Sequence, residues 1–340
     1  MDSREKVTAV FKRKSTGVGT MWTGHLSEKT IPVFAEAYGV ATESDAIYNY
    51  LGDDCRWVIA DAGYKHPERL LPLDPAYGIN RKTLSAEGCF ANAETVADIE
   101  KYPWPDLKYL DFTGVYAAID SYKGKKVFSG MWSCFYHNIA DFFGMENYFI
   151  KMYENPTVVD AVTERVVDYY VAANELFFRG LGDREITMFF GNDFGTQLNL
   201  FIAPENFRRF ILPSIKRIIS IGKKYGKTIM LHSCGSIYRV IPDLIESGID
   251  VLHPIQAKAR GMDAKSLVQY KNDLAFVGGI DAQSFFVNAT PTQIKDEVRR
   301  VYDILGPNIV ISPSHEEILP IVPPANILAM AEAAHEINAC

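Results

Sequence analysis

The sequence has no long apolar run, few cysteines and no segment dominated by basic residues. No window of the 340 residues approaches the roughly 18–20 consecutive apolar residues of a membrane span, so we predict no membrane association. The 42 acidic residues outnumber the 35 basic ones, which gives a formal net charge of −7 and argues against a nucleic-acid partner. Residues 1–14 lack the apolar core of a secretory signal, and the five cysteines follow no disulfide framework. We therefore expect a cytoplasmic protein with reduced thiols.

Glycine-rich phosphate-binding loops are also missing. No Gly-x-Gly-x-x-Gly or Gly-x-x-x-x-Gly-Lys motif follows a strand-like run, which excludes the commonest nucleotide-binding sheets. The sequence does contain 48% hydrophobic residues, enough for a large core, and no linker of low complexity interrupts it. We therefore predict a single domain over residues 1–340. Its most rigid segment is Tyr-Pro-Trp-Pro-Asp at 102–106, because each proline disfavours helix in the preceding residue.

From residue 126 onward, short apolar runs alternate with longer segments of helical period. The predicted strands cover 126–130, 185–190, 228–232, 250–254, 274–278 and 308–312. The predicted helices cover 156–179, 204–225, 237–246, 290–305 and 324–337. The pattern in the first hundred residues is weaker and favours an amphipathic opening helix, a short strand at 18–22 and a helix at 43–50. Regular alternation indicates parallel strands with right-handed crossovers, as in a closed (β/α)₈ barrel or an open doubly wound sheet.

The positions of polar residues decide between these two architectures. Seven of them lie at or just beyond the end of a predicted strand: Asn192, Asp193, His232, Cys234, His253, Asp281 and His315. In a TIM barrel the C-terminal ends of the strands converge on one mouth, which carries the active site. We therefore predict an α/β fold, a TIM (β/α)₈ barrel with an N-terminal elaboration.

The segment Met-Leu-His-Ser-Cys-Gly at 230–235 is the strongest candidate for chemistry. Residues i and i+2 share one side of an extended chain, so the imidazole of His232 and the thiol of Cys234 can bind one zinc ion. A buried cysteine packed beside a hydrogen-bonded histidine explains the motif equally well. His315, at the end of the last predicted strand, is the third candidate ligand. The predicted metal set is therefore His232, Cys234 and His315, while Cys134 and Cys340 are interpreted as bystanders.

Other residues near strand ends are candidates for catalysis and substrate binding. Asp193 fits a fourth ligand, a substrate contact or a turn cap, and His253 fits either the pocket or its wall. The predicted catalytic residues are Asp193, His253 and Glu316. The predicted substrate-binding residues are Trp22, His25, Asn192, Gln197 and Gln256. The aromatic content of 12% fits an aromatic substrate, but the core of a barrel accounts for it better.

Several segments resemble the uroporphyrinogen decarboxylase superfamily. They are Leu-His-Ser-Cys-Gly-Ser at 231–236, Gly-Ile-Asp-Val-Leu-His-Pro-Ile-Gln at 248–256, Gly-Gly-Ile-Asp-Ala-Gln at 278–283, Thr-Pro-Thr-Gln-Ile-Lys-Asp-Glu-Val at 290–298 and Val-Pro-Pro-Ala-Asn-Ile at 322–327. The resemblance runs in order from about residue 191 to the C-terminus, and it is looser at 143–149 and 153–157. It implies a TIM barrel, in agreement with the pattern of strands and polar residues.

The superfamily includes two chemistries. Its decarboxylases act without metal on a polycarboxylated porphyrinogen, which they bind through an arginine-bearing motif after the first strand. The matching stretch at 20–27, Thr-Met-Trp-Thr-Gly-His-Leu-Ser, has no arginine, which disfavours this activity. Its corrinoid-linked methyltransferases carry zinc on a His-x-Cys motif and a later cysteine. By resemblance, His232 and Cys234 match the first two ligands, and His315 stands where the family has the second cysteine.

The resemblance thus implies a zinc-dependent methyltransferase. It would move a methyl group between a small methyl ether, a similar methylated substrate or a thiol, and the cobalt of cobalamin on a partner corrinoid protein. Two histidines and one thiolate leave zinc a formal charge of +1, which makes it a stronger Lewis acid than a neutral site. Ether demethylation also needs zinc or an acid such as His25, His253 or Glu316 at the leaving oxygen. A metal-free decarboxylase and a non-catalytic corrinoid-protein partner remain alternatives.

Overall fold

The fold was analysed in a computed structural model that describes residues 1–14, 17–68, 70–81, 83 and 86–337. Cys340 lies outside these described residues. A parallel sheet of seven strands follows the order of the sequence. These are β2 (Cys55–Ile59), β3 (Lys126–Gly130), β4 (Ile186–Gly191), β5 (Thr228–His232), β6 (Val251–Ile255), β7 (Ala275–Ile280) and β8 (Ile309–Pro313). The short strands β1 (His25–Leu26) and β9 (Glu317–Ile318) pair in parallel with each other.

The segment around Met21 joins the two edges of this sheet. Met21 forms a parallel bridge with Ile311 of β8, flanked by a hydrogen bond of 2.9 Å from the Trp22 N–H to the Ile311 carbonyl. On the other side, Asp54, next to β2, donates its N–H to the Met21 carbonyl and accepts the Met21 N–H at 3.0 Å. The strand predicted at 18–22 is thus reduced to one bridging residue. The curled parallel sheet confirms the predicted TIM-barrel-like α/β fold.

Helices connect and surround the strands. They are α1 (Ser3–Phe11), α2 (Thr30–Tyr38), α3 (Ser44–Tyr50), α4 (Val96–Ile99), α5 (Thr113–Ser121), α6 (Phe135–Phe143), α7 (Met145–Glu154), α8 (Pro156–Gly180), α9 (Pro204–Asn206), α10 (Leu212–Lys224), α11 (Ile241–Glu246), α12 (Ala264–Leu267), α13 (Phe285–Asn288), α14 (Pro291–Leu305) and α15 (Pro324–Glu336). A π-helical turn at Phe207–Ile211 lies between α9 and α10, so the helix predicted at 204–225 is interrupted. Among the described residues, no helix combines the length and apolar character that crossing a bilayer requires.

Helix α1 closes the N-terminal end of the barrel. Its capping box, in which Asp2 accepts the Glu5 N–H at 2.8 Å, fixes the start of the helix. Its apolar face, including Phe11, packs into the cluster of buried side chains inside the barrel, where Phe11 stacks on Phe128. Beside it, the buried Lys126 ammonium pairs with Glu185 at 3.1 Å. Because this end is filled, the C-terminal ends of the strands are the barrel's candidate site.

Candidate functional site

Three predicted site residues converge where β4 and β5 end side by side. Gly191 pairs in register with His232, so Asp193, two residues beyond β4, reaches the same point as the end of β5. The His232 Nε2 atom lies 3.1 Å from Asp193 Oδ1 and 3.6 Å from Cys234 Sγ. Ligands of one tetrahedral zinc ion, at ordinary Zn–O, Zn–N and Zn–S bond lengths, are about 3.3 Å apart for N and O and about 3.6 Å apart for N and S. Both distances from His232 Nε2 therefore match a zinc site, and Cys234 Sγ lies within 4.8 Å of the Asp193 carboxylate.

The backbone of the two loops holds these donors in place. Asp193 Oδ1 accepts the Cys234 N–H at 2.8 Å, and the Gly235 N–H donates to the side-chain oxygen of Gln256. Gly235 has a φ of +84°, and a Cβ there would lie 2.1 Å from the carbonyl oxygen of Gly195. A glycine at position 235 is thus required both by its left-handed backbone and by the close contact of the two loops.

A second group of donors shares Cys234. One ligand atom each from Cys234, His315 and Glu316 lies within 4.8 Å of the others. Glu316 Oε2 is 3.6 Å from His232 Nδ1 and 3.7 Å from His315 Nδ1, and this buried oxygen has no hydrogen-bond partner in the described part of the chain. The predicted set of His232, Cys234 and His315 is therefore divided. Cys234 belongs to both groups, His232 is grouped with Asp193, and His315 is grouped with Glu316.

His253 lies behind His232, away from Asp193 and Cys234. The two Nδ1 atoms are 3.1 Å apart, and His253 is completely buried. Burial and the neighbouring His232 hold the pKa of His253 well below its ordinary value, so its ring is neutral. Burial also acts to lower the pKa of His232, but Glu316, the hydrogen bond to Asp193 and Cys234 together raise it well above its ordinary value. The surroundings of His232 thus stabilise positive charge at a buried position.

Two predicted substrate contacts, Trp22 and Gln256, lie next to this cluster. The Trp22 ring is buried inside the barrel, with its centroid 5.1 Å from that of His253. Gln256 borders an apolar cavity of about 230 Å³, which also includes His315. No arginine or lysine is among the described residues that line this cavity. The cavity therefore suits a small molecule of low polarity better than a polycarboxylate.

The other three predicted substrate contacts occupy different positions. His25 on β1 and Gln197 in the loop after β4 are exposed at the surface. Asn192 is fully buried, and its amide accepts the Tyr136 N–H at 2.8 Å and donates to the Ser133 carbonyl at 3.0 Å. Because both atoms bond to the backbone after β3, Asn192, which follows β4, supports the loop after β3. Its contact with substrate stays a prediction.

Two side chains beside the cluster, His137 and Trp132, are not among the predicted site residues. His137 on α6 accepts the Asp193 N–H through Nε2 at 3.3 Å, and the same atom lies 4.0 Å from Asp193 Oδ2. The Trp132 ring centroid is 5.4 Å from that of His232. Both residues follow the predicted strand at 126–130. Their position shortly after the end of that strand is the sequence feature that could have identified them.

Comparisons with known proteins agree with the motifs. The family profile described as Uroporphyrinogen decarboxylase (URO-D) matches residues 87–337. A solved methyltransferase from Methanosarcina mazei is 14% identical, covers 99% of both chains and has a TM-score of 0.68, which shows a shared fold. A putative vitamin-B12-independent methionine synthase from Listeria monocytogenes is 13% identical over 94% of this chain and 98% of its own, with a TM-score of 0.47. No curated protein matches the sequence significantly. The family profile spans well over half of the chain, which therefore belongs to the uroporphyrinogen decarboxylase family.

Proposed function

We propose that the protein is a zinc-dependent methyltransferase. It moves a methyl group between a small methylated substrate, such as a methyl ether, or a thiol, and the cobalt of cobalamin carried by a corrinoid protein. The observation that carries the proposal is the convergence of Asp193, His232 and Cys234, in which the distances from His232 Nε2 to Asp193 Oδ1 and to Cys234 Sγ match tetrahedral zinc. The fold shared with a protein described as a methyltransferase supports the reaction class.

The donor set fits zinc better than other common metals. A thiolate beside an imidazole and a carboxylate suits zinc, whereas magnesium and calcium take oxygen ligands. Three ligands leave a fourth position for a substrate heteroatom, as in catalytic zinc sites. Bound there, zinc would supply Lewis acidity, stabilising charge on an oxygen that loses a methyl group or lowering the pKa of a thiol that accepts one.

The chain's own residues orient the ligands and supply a hydrogen-bond donor. With Nε2 of His232 as a ligand, its Nδ1 carries the proton and faces the neutral His253 ring at 3.1 Å and Glu316 Oε2 at 3.6 Å. These contacts fix the tautomer and the orientation of the ring. His315 accepts the Glu317 N–H at Nδ1, so its Nε2 carries the ring proton. From a residue that lines the adjoining cavity, this N–H can donate a hydrogen bond to a leaving oxygen and so stabilise its negative charge.

The decisive experiment combines a zinc measurement with a methyl-donor screen. We expect one zinc per chain by plasma mass spectrometry. We also expect at least one methyl ether or other small donor to convert cob(I)alamin to methylcobalamin, followed by absorbance. Full methyl transfer by chelated protein would contradict the proposal. Zinc-free protein that decarboxylates a porphyrinogen would instead support the decarboxylase. Tight binding of a corrinoid protein without transfer to the whole donor and acceptor panel would support the non-catalytic partner.

A pair of substitutions distinguishes Asp193 from His315 as the third ligand. Asp193→Asn is expected to weaken zinc binding at least about tenfold, because it replaces a charged oxygen ligand that lies 3.1 Å from His232 Nε2. His315→Ala is expected to keep stoichiometric zinc, because His315 lies in the other donor group. Competition with a chromogenic chelator measures both affinities. The reverse ranking would restore His315 as the third ligand.

Glu316→Gln tests whether the Glu316 carboxylate supports the zinc ligand His232. The substitution keeps the shape of the side chain but removes the charge 3.6 Å from His232 Nδ1. Loss of such a partner typically weakens metal binding about 10–100-fold, and we expect a value in this range from the same chelator competition. Glu317→Gln, one residue along the chain at the exposed position of β9, is the matched control. Equal affinities of the two variants would show that Glu316 does not support the ligand.

A further inference from the structure

A second cavity lies between two loops that contribute no donor to the candidate metal site. It has a volume of about 220 Å³ and is enclosed by the segments 64–66 and 70–77, which follow β2, and by the segment 102–109. The segment 102–109 begins with the Tyr-Pro-Trp-Pro-Asp motif, to which the proposed methyl transfer gives no role. We call this cavity the aromatic pocket. Its described lining includes five aromatic rings: Tyr64, Tyr77, Tyr102, Trp104 and Tyr109.

The rings form two groups that face the same cavity. Tyr64 and Tyr109 meet edge to face with centroids 6.1 Å apart. Tyr102 contacts both Tyr77 at 5.4 Å and Trp104 at 4.8 Å. Such edge-to-face packing fixes the orientation of aromatic side chains relative to one another.

Backbone contacts hold the two walls together. The Lys65 N–H donates to the Tyr109 carbonyl at 2.7 Å, and the Tyr102 hydroxyl donates to the Asp74 carbonyl at 3.1 Å. Prolines before and after Trp104 restrict the backbone of the second wall. The pocket is therefore built before any ligand binds, which lowers the entropic cost of binding.

Several polar groups of the lining are engaged by other groups of the chain. Trp104 Nε1 donates to the Ile99 carbonyl at 3.2 Å, and the Asp74 carboxylate accepts the Ala76 N–H at 2.9 Å. Asp106 pairs with the Lys108 ammonium at 2.7 Å. His66 and the hydroxyls of three tyrosines also belong to the lining, so a ligand can hydrogen-bond there through a polar substituent. The faces of its aromatic rings remain the main feature that a ligand can contact.

The charges of the described lining favour a cation. With His66 counted as neutral, Asp106 and Lys108 cancel, so the Asp74 carboxylate is the remaining formal charge, and it forms no ion pair with a described residue. Aromatic faces carry negative potential and attract cations. Lys108 already shows this attraction, because its ammonium lies 4.8 Å from the centroid of the Tyr109 ring. A quaternary ammonium ion is charged but has no N–H group. Such a cation therefore binds to ring faces rather than to hydrogen-bond acceptors.

We propose that the aromatic pocket binds a small methylated ammonium ion. At about 220 Å³ it is smaller than the cavities of about 300–1,000 Å³ that hold drug-sized ligands, so a trimethylammonium group with a short substituent is the expected size. The ring faces contact the methyl groups, and Asp74 provides the compensating charge. This proposal does not depend on zinc or methyl transfer, because the pocket shares no residue with either donor group.

Titration calorimetry on the full chain at low ionic strength tests the proposal with choline as the probe. Its uncharged carbon isostere, 3,3-dimethylbutan-1-ol, has the same shape without the charge. We expect choline to bind at least about tenfold more tightly than the isostere, because only the cation interacts with the ring quadrupoles and with Asp74. Equal binding of the two probes, or no measurable binding of choline, would overturn the proposal.

Two variants locate the binding in the pocket without removing core side chains. Tyr77→Leu keeps an apolar side chain at a position that is 43% exposed but removes the ring, and Asp74→Asn removes the charge. Each is expected to weaken choline binding several-fold, about the size of one exposed cation–π contact or more. Tyr153→Leu removes an exposed tyrosine outside the pocket and is the control. Unchanged choline affinity in both pocket variants, with circular dichroism showing native folds, would place the binding elsewhere.

Discussion

Replacing Cys234 with serine is expected to remove stoichiometric zinc and to reduce methyl transfer by at least about a hundredfold, a larger loss than removing a supporting residue. Cys234 contributes the only thiol to both donor groups at the mouth of the barrel, so either choice of third ligand depends on it. A serine hydroxyl is neutral and hard, and it replaces a soft anionic ligand that zinc prefers. Metal analysis of the purified variant and the cob(I)alamin assay measure the two losses independently.

Cys134→Ser is the matched control for this substitution. Its sulfur lies 3.6 Å from the Tyr170 hydroxyl and belongs to neither donor group. Burial raises the pKa of the Cys134 thiol to about 11, as expected for a packed, protonated cysteine. This variant is expected to keep both zinc and activity. Full zinc content in Cys234→Ser, or equal loss in both cysteine variants, would exclude Cys234 as a specific ligand.

Gly235→Ala is expected to lower the free energy of unfolding by about 3 kcal/mol or more and to reduce zinc occupancy. A residue with a Cβ in the left-handed region costs about 1–2 kcal/mol. The new Cβ would also lie 2.1 Å from the Gly195 carbonyl oxygen, a backbone atom that moves only with its loop. Separation of the loops after β4 and β5 would move Asp193 away from Cys234. Urea unfolding and metal analysis measure the two effects.

Gly226→Ala isolates the part of this effect that comes from the backbone alone. Gly226 has a φ of +64°, and a Cβ there meets no atom within 4 Å. Its substitution is expected to cost only about 1–2 kcal/mol and to leave zinc occupancy unchanged. If both variants lost the same stability and both kept zinc, the contact between Gly195 and Gly235 would not hold the site together.

The sequence predicted the second half of the fold well and the first half poorly. Each strand predicted from residue 126 onward is present, because buried parallel strands form continuous apolar runs between amphipathic helices. Strand β2, at Cys55–Ile59, was missed because its run contains Arg56, whose buried charge is compensated by Asp45 at 2.9 Å. The closure at Met21 could not be predicted either, because one bridging residue leaves no periodicity.

The sequence by itself determined the barrel class, the family and the shared position of His232 and Cys234, because these depend on local periodicity and on an i, i+2 spacing in an extended chain. Only the tertiary structure decided that Asp193 completes one donor group and that His315 and Glu316 form another around the same thiol. Loops after different strands set these distances. Their conformations depend on contacts such as Gly195 with Gly235, which link residues 40 positions apart. The aromatic pocket also depends on the tertiary structure, because its two walls come from separate segments joined through backbone hydrogen bonds.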